Sequence, residues 1–79
     1  MQKTDLPDLL YLTIQKLGGS ANMMTIFKEF WKNYGNQLSP KDDLFYTWNY
    51  DIRWAATELR KTKRMKPTIN SDKGVWEII

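Results

Sequence analysis

The chain carries neither cysteine nor histidine, and no residue it does carry narrows its options as far. Disulfide frameworks, thiol nucleophiles, Ser-His and Cys-His systems and Cys/His zinc sites are all excluded. With them go most familiar enzyme chemistries and the usual staples of very small proteins. At 79 residues the chain is read as one domain, 1–79, of a size that buries only about 60% of its unfolded surface. Closing a core therefore falls to large side chains. Four Trp, four Tyr and three Phe, 14% of the sequence, supply them and make the chain globular, not disordered.

No apolar run approaches the ~20 residues a membrane span needs, and no basic region followed by an apolar stretch opens the chain. The expectation is a soluble cytoplasmic protein without membrane contact. Its net charge of +3 is unevenly spread. Residues 1–52 hold five Lys against six acids, a balance of −1. Residues 53–79 hold Arg53, Arg60, Lys61, Lys63, Arg64, Lys66 and Lys73 against Glu58, Asp72 and Glu77, a balance of +4. A basic excess gathered at one end points to a polyanionic partner, although a solvated basic helix produces the same asymmetry.

Individual Gly, Pro and Asn residues divide the chain. Asp5 is placed to cap a first helix, with Pro7 in its opening turn where the missing N–H is no loss. Leu6, Leu9, Leu10, Ile14 and Leu17 recur at helical spacing, and Gly18-Gly19 stops the helix, one of them in a left-handed conformation. Ser20-Ala21-Asn22 is either a linker ending in an N-cap or a brief strand. From about Met23 to Tyr34, Met23, Ile26, Phe27, Phe30 and Tyr34 form one face and Lys28, Glu29 and Lys32 another, which predicts a second amphipathic helix with Trp31 off the apolar face. Ser39-Pro40-Lys41-Asp42 predicts a short helical turn. Asp42 and Asp43 read as partners of a helix dipole rather than as metal ligands.

A third main helix is predicted from Asn49 to Thr62. On a wheel of ~100° per residue, Trp48, Ile52, Ala55, Ala56 and Leu59 make a core stripe, while Asn49, Arg53, Thr57, Arg60 and Arg64 fall within about 80° on an adjoining side. Trp54 points away from the core stripe and is expected to pack against the carboxy-terminal hairpin or the loop before the helix. Met65 to Ile69, a turn over residues 70–74 and the strand Val75-Trp76-Glu77-Ile78-Ile79 then predict a β-hairpin. Pro67 places its strand at an edge, and Gly74 suits a positive φ. The expected fold is α+β and mostly helical, a winged helix-turn-helix with a three-helix core and a C-terminal β-hairpin wing.

Ile52-Arg53-Trp54-Ala55, then Leu59-Arg60-Lys61, then Lys73-Gly74-Val75-Trp76-Glu77-Ile78 resemble the amino-terminal winged-helix domain of Mrr-type restriction systems, over roughly residues 6–79. That family shows an Arg-Trp-Ala helix, a short hinge and an Arg/Lys-Gly-x-Trp strand. Two positions depart from it: Tyr50 stands where Asn is usual, and Thr62-Lys63 where the helix usually closes with Ala-Gly. The resemblance implies DNA binding that directs an attached nuclease module.

Helix stripe and resemblance together predict a double-stranded DNA partner. Arg53, Arg60 and Arg64 would meet phosphates or a guanine edge, with Asn49 and Thr57 as uncharged hydrogen-bonding groups beside them. Lys61, Lys63, Lys66 and Lys73 would add backbone contacts from the helix end and wing. The competing expectation is a protein-docking module with an exposed aromatic patch around Trp31, Tyr46, Tyr50 or Trp54. Catalysis and bound cofactors are not expected. The pair Asp51 and Glu58, about 10 Å apart along one helix, is too widely spaced for a single metal ion.

Overall fold

The computed structural model describes residues 1–67 and 74–79. Three helices and a small antiparallel sheet follow one another as α1 (Leu6–Lys16), β1 (Ser20–Asn22), α2 (Met23–Tyr34), α3 (Leu44–Lys61) and β2 (Val75–Glu77). The architecture is α+β and mostly helical. Short 3₁₀ turns at Lys3–Asp5 and Gly35–Gln37 precede α1 and follow α2.

Local chemistry accounts for the helix ends. Pro7 sits in the first turn of α1, where it gives up no hydrogen bond. Asp5 does not cap α1 with its side chain; its carboxylate accepts instead from the Gln2 N–H at 2.8 Å. At the other end both Gly18 and Gly19 adopt positive φ, and the Gly19 N–H reaches back to the Ile14 carbonyl at 2.9 Å, satisfying an acceptor the helix itself leaves open. Residues 20–22 combine the two roles open to them: they form β1, and the Asn22 side chain caps α2 by accepting from the Met24 N–H at 2.8 Å.

β2 pairs with β1 in the register Ser20↔Glu77, Ala21↔Trp76 and Asn22↔Val75. The expected hairpin partner, Met65 to Ile69, is represented among the described residues by a Met65↔Ile78 bridge, with the Lys66 N–H donating to the Glu77 carbonyl at 2.8 Å and the Ile79 N–H to Arg64 at 3.1 Å. Among the described residues, the strand that pairs with β2 is the segment between the first two helices. Three residues of β1 are too few for any alternating pattern to announce a strand. Gly74 has the expected positive φ of 80°; the rest of the predicted turn, residues 70–73, lies outside the described residues, as do Thr68 and Ile69.

α3 begins at Leu44, five residues before the predicted start at Asn49. Leu44 is buried with the core stripe, so its apolar surface favours extending the helix backwards. The segment Ser39–Asp42 is a single non-helical turn closed by the Asp42 N–H on the Ser39 carbonyl at 2.9 Å, not the predicted helical turn. With no glycine to end α3, Lys63 takes the left-handed conformation at φ 63°, and the Arg64 N–H bonds to the Leu59 carbonyl at 2.8 Å.

Inside, Leu6, Leu10 and Ile14 of α1, Ile26 and Phe30 of α2, and Ile52, Ala55, Ala56 and Leu59 of α3 are essentially inaccessible, with Met65 and Trp76 closing the sheet side. Phe30 stacks on Trp48 at 5.6 Å between ring centres. Trp54 is half-buried against the core, and the Lys3 ammonium of the N-terminal turn lies 4.7 Å from the centre of its ring. The hairpin residues 68–73, against which Trp54 was expected to pack, lie outside the described residues. The buried acid Asp51 accepts from the Thr47 hydroxyl at 2.7 Å, which covers the cost of removing a carboxylate from water. Among the described residues, no helix is long and apolar enough to cross a membrane.

Candidate nucleic-acid interface

Because Ile52, Ala55, Ala56 and Leu59 turn α3 toward the core, the side of the helix adjoining that stripe is presented outward. Tyr46, Asn49, Tyr50, Arg53 and Thr57 occupy it, all exposed, the two tyrosines at 69% and 73%. These five recur at spacings of three and four, one continuous strip along three turns. None is acidic, and none forms an ion pair among the described residues.

Arg53 lies along this strip. Its guanidinium donates to the Asn49 carbonyl at 3.0 Å and sits 5.2 Å from the centre of the Phe27 ring. One backbone bond and one ring face orient the fork while leaving further donors for a ligand. Thr57 donates to the Arg53 carbonyl at 3.3 Å. The Asn49 side-chain amide has no hydrogen-bond partner among the described residues and lies at the edge of a groove.

That groove, of about 290 Å³, runs between α2 and α3 and is lined by Met24, Phe27, Lys28, Trp31, Trp48 and Asn49. Trp31 stacks on Trp48 at 5.4 Å, and Phe27 meets Trp48 edge-on at 6.1 Å. The walls are apolar, with one ammonium and one amide at the rim. Lys28 and Lys32 add exposed positive charge from α2, and neither is in an ion pair among the described residues.

Beyond Thr57 the same side of the chain is engaged internally. Arg60 is half-buried; its Nε donates to the Lys66 carbonyl at 3.3 Å and its guanidinium lies 5.9 Å from the Trp76 ring centre. Burial lowers its pKa from the ordinary arginine value. Lys61 pairs with Glu58 at 3.3 Å, Arg64 with Asp8 at 2.9 Å and Lys66 with Glu77 at 2.9 Å. Arg64 also lies 4.5 Å from the Tyr11 ring centre. Lys63 is exposed and unpaired among the described residues. Lys73 falls outside the described residues.

Of the positions the sequence singled out, the structure brings Asn49, Arg53 and Thr57 into one open strip and sets Arg60, Lys61, Arg64 and Lys66 into intramolecular contacts. Tyr46 and Tyr50, named for a docking patch, lie on that same open strip; Trp54, named with them, is half-buried elsewhere. Met24 and Lys28 were not singled out, and their place at the groove depends on the crossing of α2 over α3. A Met at the second position of a helix carries no signal of that kind by itself. Comparison with protein-family models, curated proteins and solved structures finds no match to this chain.

Proposed function

We propose that this chain is a winged-helix domain that binds duplex DNA through the outward side of α3, with β2 and its flanking strands as the base of the wing. The observation that carries this reading is the strip from Tyr46 to Thr57. It is exposed, free of carboxylates, and holds an oriented arginine next to an unpartnered amide, the two side-chain types best suited to purine edges in a major groove. Lys28, Lys32 and Lys63 surround it with charge suited to phosphates. The resemblance to Mrr-type amino-terminal domains supports the same reading, and under it the domain targets an attached or partner nuclease without cutting DNA itself.

The internal ion pairs qualify which cations take part. Each of the pairs of Lys61, Arg64 and Lys66 is at least partly exposed, and such pairs are worth about 0–1 kcal/mol. A phosphate can therefore replace Asp8 or Glu77 at small cost. The exposed cations on or around the strip that lie outside ion pairs among the described residues, Arg53, Lys28, Lys32 and Lys63, set the minimum, and four neutralised phosphates give a log–log salt slope of about −3.6. A titration with random duplex should weaken roughly 150-fold between ~50 and ~200 mM salt, with amide shifts concentrated on residues 46–57. No response to millimolar duplex, or shifts confined to α1 around Leu12, would overturn the proposal.

A protein-docking module is the second reading, favoured by the apolar groove and by Met24 and Trp31, which stay 60% and 43% exposed. Interface hot spots are enriched in such aromatics. Salt-insensitive association that Trp31→Ala abolishes, in the absence of any duplex response, is the result that selects it.

A further inference from the structure

The apolar groove adjoins Asn49, and that adjacency has chemical meaning in a major groove. An Asn amide offers one donor and one acceptor in a plane, the complement of the N7 acceptor and N6 donor of adenine. The thymine paired with that adenine, or one beside it, presents a C5-methyl group at the same groove edge, where guanine and cytosine present none. Among the described residues the Asn49 amide has no hydrogen-bond partner, and Met24, Phe27, Trp31 and Trp48 form an apolar recess next to it. Among the described residues no acidic side chain lines that recess to repel the phosphates flanking a bound base pair. Arg53, held against Phe27 at 5.2 Å and bonded to the Asn49 carbonyl, lies one turn further along the helix and is oriented beside the recess.

We propose that Asn49 and the α2–α3 groove together read an A·T pair: the Asn49 amide takes the adenine edge and the recess takes the thymine methyl. This rests on the DNA-binding reading and adds to it a specificity that neither charge nor fold supplies. Met24 forms the wall of the recess that is open to water, so it is the contact a thymine methyl would cover first. Covering one methyl corresponds to a three- to fivefold change in affinity.

The test uses the full chain and three duplexes of equal length: A·T-only, G·C-only, and the A·T duplex with uracil in place of every thymine. Uracil removes the major-groove methyl and leaves the minor-groove acceptors, so a preference arising from a narrow minor groove survives the exchange and a preference arising from the methyl does not. The expected result is that A·T binds more tightly than G·C and that uracil substitution weakens binding three- to fivefold. In Met24→Ser, an exposed change that leaves the core intact, thymine and uracil duplexes should bind equally. Asn49→Ala should reduce the A·T over G·C difference to the three- to fivefold that the methyl contributes, while leaving the salt slope unchanged. Equal binding of thymine and uracil duplexes by the unaltered chain overturns this inference alone, and DNA binding stands. Failure to bind any of the three duplexes overturns both.

Discussion

On α3 the strip of Tyr46, Asn49, Tyr50, Arg53 and Thr57 faces water, and its side-chain hydrogen bonds among the described residues go to its own helix; in the stretch from Arg60 to Lys66, Arg60, Arg64 and Lys66 meet partners from outside α3, while Lys61 pairs with Glu58 of its own helix. Each stretch carries arginine, and Arg53 and Arg60 lie seven residues apart on the same helix. What differs is what passes alongside. The first stretch lies next to α2, which brings Lys28 and apolar surface. The second runs between α1, which brings Asp8, and β2, which brings Glu77 and Trp76. Charge counted along a sequence is therefore not charge available to a ligand. Here the carboxy-terminal excess of positive charge is partly consumed in fastening the sheet and α1 to the end of α3.

This contrast can be broken by substitution, and the largest effect is expected at Arg53. Arg53→Ala should weaken duplex binding ten- to thirtyfold and reduce the salt slope by about one, with the thermal midpoint unchanged because the side chain is exposed. Equal binding by the variant would place the interface elsewhere. Arg60→Ala should do the reverse. Loss of its packing on Trp76 and its bond to Lys66 should lower stability by about 1 kcal/mol, or roughly 4–8 °C in a domain of this size, with affinity within threefold of the starting chain. Asp8→Asn releases Arg64 from its ion pair and should tighten binding two- to threefold, with stability changed by less than about 0.5 kcal/mol; a tighter complex in that variant shows that the pair competes with DNA. The smallest effect is expected from Lys63→Gly. It relieves the left-handed strain at φ 63° and should raise stability by about 0.5 kcal/mol in chemical denaturation, while removing one cation from the second stretch.

The helices were legible because their signals are local. Pro7, the Gly18-Gly19 stop and the Ile26, Phe27, Phe30 spacing each act within one or two turns, and α2 has the predicted bounds Met23–Tyr34. The strip of Asn49, Arg53 and Thr57 was legible for the same reason: period and residue type together place it beside the core stripe of Ile52 and Ala56. Pairing of β1 with β2 was not. It joins Ala21 to Trp76, fifty-five positions apart, and no short pattern encodes a partner so distant. The ion pairs of Arg64 and Lys66 follow from that same assembly, since Asp8 and Glu77 come alongside only when the sheet closes and α1 packs across α3. Trp54 shows the limit from another side. Its angle on the helix wheel was read correctly as off the core stripe, but the wheel does not say that the N-terminal turn would bring Lys3 over the ring.

Gly35 sits directly behind the Trp31 indole: a Cβ built there would fall 2.8 Å from the nearest ring carbon. Its backbone is ordinary right-handed helix, so the position requires glycine for room and not for torsion. Any larger residue displaces the indole and, through its stack on Trp48, alters the width of the recess beside Asn49. A single methyl added at residue 35, without touching the strip from Tyr46 to Thr57, thus reshapes the recess from behind and, under the proposed DNA-binding reading, adjusts base-pair preference from a distance.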